Sequence, residues 1–78
     1  MKNQITYRKI IPAKITEKRG KRSRREIVEA SGGKFTEMDL YSYEKKKHNI
    51  PQDKVPFLLV ALGATFEEIS EPVTVTTA

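Results

Sequence analysis

The sequence predicts a small all-α domain of five short helices, with short β arms at both termini. Two observations carry that expectation. Helix start and stop signals recur through the middle of the chain. Ser23 and Thr36 are each followed three residues later by an acid, and Gly20, Gly32-Gly33 and Gly63 stand where expected helices end. Val55, Leu58, Leu59 and Leu62 also repeat at the i, i+3, i+4, i+7 spacing of a helix with one buried face.

Taken in order, residues 3–11 (NQITYRKII) are β-branched and aromatic with no helical stripe, and predict an extended arm or strand ending at Pro12. Residues 13–19 fit a short helix, with Pro12 at its first position, Gly20 after its end and only Ala13 and Ile15 for an apolar face. Ser23 and Glu26 form the S-x-x-E capping box of a second helix, whose apolar side is Ile27, Val28, Ala30 and Ser31 and which stops at Gly32-Gly33. Thr36 caps a third, with Asp39 completing a shorter box and Phe35 and Leu40 at the spacing of a hydrophobic staple. Phe35, Leu40 and Tyr43 are assigned to the core; Glu37, Met38, Tyr41 and Ser42 point outward or sideways. Lys45, Lys46 and Lys47 crowd the last turn, so this helix covers about residues 36–47 and cannot pass Ile50, because Pro51 follows. A fourth helix spans residues 52–62, with Pro56 tolerated in its first turn and Gly63 as its stop. Thr65 caps a fifth, residues 66–69, whose Glu67 and Glu68 suit a helix start, and Pro72 ends it. The tail VTVTT alternates like a strand and either pairs with residues 4–10, within the chain or across a dimer, or is disordered. The expected division is an arm over 1–11, a helical domain over 12–70 and a tail over 71–78.

Seventy-eight residues make one domain near the lower size limit for a self-sufficient core. The absence of cysteine excludes disulfides and thiolate metal sites. No apolar run reaches the roughly 18 residues of a membrane span, and the N-terminus lacks the apolar centre of a signal peptide, so a cytoplasmic protein without membrane contact is expected. The net charge of +5 is unevenly spread. Residues 1–34 hold eleven Lys/Arg against three acids, whereas residues 35–78 hold four Lys against seven acids. This asymmetry suits a polyanionic partner. Catalysis has little to stand on: there is no Cys, no Ser/His/Asp arrangement and no phosphate-cradling Gly-rich loop. Asp39 and Glu44 are five apart on a helix, hence on different faces, and His48 is a lone imidazole without ligand neighbours. No enzyme activity, metal, cofactor or small-molecule ligand is expected.

With the helices placed, residues 23–69 resemble the lambda-repressor-like (Cro/C1-type) helix-turn-helix family. SRREIVEA is similar to its second helix, FTEMDLYSYEKKK to its recognition helix, and NIPQDKVPFLLVALGATFEEI to its fourth helix, A-L-G stop and short fifth helix. Tyr43-Glu44 resembles the family's Ile-Glu, in which the Glu ties the end of the recognition helix to the domain. The chain departs from the pattern in its SGGKF turn, about two residues longer than usual, and in a first helix without a strong Leu/Ile stripe.

The resemblance implies that residues 36–47 lie in the major groove of duplex DNA, with their N-terminal part against base edges. Glu37, Met38, Asp39, Tyr41 and Ser42 are then the base-contact candidates: Glu37 accepting from a cytosine amino group, Met38 or Tyr41 on a thymine methyl, Ser42 in either role. Asp39 is weighted toward capping. Arg22, Ser23, Arg24, Arg25, Lys34, Lys45, Lys46 and Lys47 are the phosphate-contact candidates, Arg24 foremost. Glu44 is assigned an internal partner, Arg19, Arg22 or a nearby amide. The implied function is a small transcriptional regulator, a repressor in preference to an activator, binding DNA as a homodimer through its terminal arms. The alternative is a protein-interaction module on the same fold, of antitoxin or anti-repressor type. Single-stranded binding through stacked Tyr41 and Tyr43 ranks third, because Tyr43 suits the core.

Overall fold

Two strands from opposite ends of the sequence close the chain on itself. In the computed structural model, which describes residues 3–77, β1 (Asn3–Ile10) runs antiparallel to β2 (Ser70–Thr77), in a register from Asn3↔Thr77 to Ile10↔Ser70. Between them lie α1 (Pro12–Arg19), α2 (Arg24–Ala30), α3 (Glu37–Glu44) and α4 (Val55–Leu62). The fold is therefore α+β, four α-helices and a two-stranded antiparallel sheet, and not the expected all-α domain of five helices. The two terminal segments are each other's partners within one chain, so their alternating residues satisfy a full ladder. The expected fifth helix is a single 3-10 turn, Glu67–Ile69, because only a few residues separate Gly63 from Pro72. Its amides bond i−3, Glu68 N to Thr65 O and Ile69 N to Phe66 O. Residues Gln52–Lys54 are likewise 3-10, so α4 starts later than the sequence suggested.

The helix ends follow local chemistry. The Ser23 Oγ accepts the Glu26 amide, and Thr36 and Asp39 form a complete reciprocal capping box. Three helices end in the same Schellman arrangement, an i−5 and an i−3 amide bond, the i−3 bond donated by a residue of positive φ. For α2 the bonds are Gly33 N to Val28 O and Gly32 N to Glu29 O; for α4 they are Ala64 N to Leu59 O and Gly63 N to Val60 O. For α3 they are Lys47 N to Ser42 O and Lys46 N to Tyr43 O. There the left-handed residue is Lys46, at φ 59°. This stop ends α3 at Glu44, and Lys45–Lys47 belong to the turn after it, not to a helix running to 47.

The core is Ile15, Ile27, Phe35, Leu40, Tyr43, Leu58, Ala61, Leu62 and Ile69. Phe35 and Tyr43 meet edge to face at 6.2 Å. Ala13 is exposed, and on α4 Ala61 takes a core position while Val55 and Leu59 are half-buried.

The sheet has no helix lying on it. Residues 3–9 are exposed on both faces, and the molecule measures 49 × 19 × 18 Å. Its radius of gyration is 14.1 Å, against about 11–12 Å for a compact domain of this length. The ribbon stands out from the helical body and is anchored at its root. Ile11 N donates to Ile69 O, and Arg8 donates through Nε to Ser70 Oγ and through Nη2 to the carbonyls of Ser70 and Glu67. Lys14 Nζ adds a bond to Ser70 O, and Lys18 pairs with Glu68. That ion pair, with the Thr65 amide and hydroxyl, holds the Glu68 carboxyl down at about 2.

Because Lys46 takes the left-handed place that glycine fills in the other two stops, Lys46→Gly is expected to raise stability by up to about 1 kcal/mol. Urea denaturation would read this; unchanged or lowered stability would show that Lys46 is unstrained in the turn.

Candidate nucleic-acid interface

The C-terminal turn of α3 is built around a carboxylate. Glu44 has its side chain fully enclosed, and it accepts hydrogen bonds from α1 and α2. Thr16 Oγ1 donates at 2.8 Å and Arg19 donates through Nη2 at 2.9 Å and Nε at 3.2 Å, both from α1. Arg24 Nε donates from α2 at 3.0 Å. Burial alone would push the carboxyl up. The Arg19 and Thr16 hydrogen bonds and the charges of Arg19 and Arg24 outweigh it and hold Glu44 below the ordinary glutamate value. Of the three partners expected for Glu44, Arg19 is the one found, with Arg24 and Thr16 added.

Arg22 was expected at a phosphate, but its guanidinium is engaged within the chain. Its guanidinium faces inward, donating to the carbonyls of Lys18 (2.7 Å), Arg19, Ala61 and Leu62 (3.0 Å). These are the open C-terminal carbonyls of α1 and α4, where a cation is favoured. Ser42, expected at a base edge, is buried, as are its neighbours Tyr43 and Glu44. The side chains of the last turn of α3 are thus closed off, and the Schellman stop folds the Lys47 amide back onto the Ser42 carbonyl. Asp39 is held in the capping box, its Oδ2 accepting the Thr36 amide at 3.0 Å. Among the base-contact candidates, that leaves Glu37 and Met38 exposed on the first turn and Tyr41 half-buried one turn on.

Arg19, Ser23, Arg24, Glu37, Met38 and Tyr41 line one open groove between the start of α2 and the outer face of α3. Tyr41 is its centre. The Arg24 guanidinium sits 5.0 Å from the ring centroid, the Lys47 ammonium 5.2 Å and the Lys45 ammonium 6.0 Å, all within cation–π range. Lys34 lies apart, 5.1 Å from the Phe57 ring. Arg25 is exposed and pairs, among the described residues, with Glu29 on its own helix, Ser23 spends its acceptor on the α2 cap, and Lys46 is exposed in the turn. The groove therefore combines an aromatic ring, three cations around it and an acid, Glu37, at its edge. Thr16 was not anticipated, although Thr16 and Arg19 stand at i, i+3 on one helical face, nor was the use of Tyr41 as a seat for cations. Among the described residues no His/Cys/Asp/Glu cluster suits a metal, and no helix is long and apolar enough to cross a membrane.

Removing the Glu44 charge leaves two guanidinium groups facing each other. Glu44→Gln is expected to cost about 3 kcal/mol at neutral pH. Since the folded-state value lies below the unfolded one, the contribution of Glu44 is complete above pH 4.5 and fades as pH falls through the lower folded value. Urea titrations between pH 7 and pH 3 should show a shallower acid limb in the variant; parallel limbs would refute this. Comparisons with protein-family models, with curated proteins and with solved structures return no match for this chain.

Proposed function

We propose that the chain binds duplex DNA as a small helix-turn-helix transcriptional regulator, a repressor in preference to an activator, acting in the cytoplasm. The observation that carries this reading is the gathering of Arg24, Lys45 and Lys47 around Tyr41 beside the exposed first turn of α3. Glu44 is already neutralised by two arginines, so its charge subtracts little from that surface. The helix order and the resemblance of residues 23–69 to the Cro/C1-type family give the same direction. Ser23, Arg24, Arg25, Lys34, Lys45 and Lys47 are the phosphate contacts in this reading, and Glu37, Met38 and Tyr41 the side chains left to meet bases.

The regulator acts as a homodimer through the ribbon. Register pairs Ile5 with Val75 and Tyr7 with Val73, so these four side chains share one face. Ile5, Tyr7 and Val75 are 56%, 49% and 42% exposed. A two-stranded ribbon alone is marginal in water, and a second copy laid on this face stabilises both. The second reading, a protein-interaction module, draws on Phe57 and Val60, exposed three residues apart on α4.

Selection from random-sequence duplexes at low and near-physiological salt tests the DNA reading. The expected result is enrichment of a two-fold symmetric motif whose affinity falls steeply with salt. Arg25→Ala and Lys47→Ala, which leave the Glu44 cluster intact, should each weaken binding to all sequences alike and lower the salt slope by about one. No binding at low salt would sink this function and favour the protein-partner reading.

The dimer contact is tested separately. Tyr7→Asp places a charge on the apolar face and should shift sedimentation from dimer to monomer with unchanged helical circular dichroism. A wild-type monomer at high micromolar concentration would refute the ribbon interface.

A further inference from the structure

The root of the ribbon and the helical body leave a cleft of about 500 Å³ between them, formed by the end of β1, the turn after α3 and the start of α4. That volume lies in the range of about 300–1,000 Å³ typical of small-molecule sites. Its apolar wall includes Ile10, Ile50, Val55 and Phe66, each only half-buried by the fold. The packing of the core stops short here, and no side chain of the described chain fills the gap.

The formal charges in the lining are of one sign: Arg8, Lys9 and Lys46 line the cleft together with the uncharged Asn49 and Gln52, and among the described residues no Asp or Glu does. Arg8 is fixed by Ser70 Oγ and by the carbonyls of Ser70 and Glu67, all uncharged acceptors. The fold thus positions this cation without neutralising it. Lys9 stands opposite Glu71 in the strand register, yet neither Lys9 nor Lys46 is in an ion pair among the described residues. The acids whose charge reaches the cleft at Tyr43 are Asp39 and Asp53, and Asp39 is engaged in the α3 cap.

We propose that this cleft binds a small amphipathic anion, a flat or branched apolar body bearing one carboxylate. The apolar wall takes the body, and Arg8 and Lys46, with Lys9 at the ribbon edge, hold the carboxylate by charge-assisted hydrogen bonds. A cation or a neutral analogue of the same shape meets the same wall but lacks the second half of the site. The ligand touches the ribbon and the turn after α3 at once, so its binding fixes the angle between them. This inference is independent of the DNA reading: it stands on the cleft alone.

The test is a titration of the ¹⁵N-labelled full chain with 1-naphthoate, 1-naphthalenemethanol and 1-naphthylmethylammonium, followed by amide chemical shifts. Saturable shifts at residues 8–10, 46–50 and 66 are expected with 1-naphthoate, with affinity roughly tenfold above the alcohol and higher still above the ammonium. The exposed double variant Lys9→Ala/Lys46→Ala should lose most of that preference while its unperturbed amides show the fold intact. Equal response to all three probes would overturn the proposal. So would shifts confined to the ribbon face of Ile5, Tyr7 and Val75, or no saturable shift with 1-naphthoate.

Discussion

The arrangement of this fold depends on one buried carboxylate with three donors. Three helices of seven or eight residues are each too short to persist alone in water, and their shared apolar core is small. Such a core fixes that helices meet but constrains their relative rotation weakly, since apolar contacts are not directional. Glu44 supplies the missing direction. Its two oxygens accept from Thr16, Arg19 and Arg24, which sets α1 and α2 in angle and register against the end of α3. The outward groove on α3 follows from that, because Arg24 is held by the carboxylate at Nε and presents the rest of its guanidinium to Tyr41.

Arg24 thus has two tasks, and so does α3. Its last turn, residues 42–44, is spent on the interior, while its first turn carries exposed Glu37 and Met38. The exposed side chains of α3 therefore lie on its first turn.

Legibility in the sequence varied with how local the cause was. The cap at Thr36, the stops at Gly32 and Gly63 and the Leu58/Leu62 stripe depend on neighbours within a few residues, and they stand where periodicity and capping put them. Glu44 as an internal residue was also foreseeable. What was not legible arises from pairing at long range or from backbone geometry that the residue type does not advertise. The two terminal segments read as extended in the sequence, but which alternative they take, pairing within the chain, pairing across a dimer or disorder, is decided only by the ladder that joins them across almost the whole chain. Lys46 ends α3 in a conformation that a lysine gives no reason to expect. Arg22 looked like its basic neighbours, yet the carbonyls that claim it come from α4, about forty residues away.

The ribbon also makes the order of assembly asymmetric. Its strands are the most widely separated segments described, and loop-closure entropy opposes their meeting in an unstructured chain. Once the helices have packed, Ile11 and Ile69 are already bonded to each other, and pairing needs only to zip outward from that point. The zipper can then open from its tip without disturbing the core, as a separate cooperative unit of low local stability. A molecule made this way joins a body held by side-chain packing to a ribbon held by its own ladder and by its root.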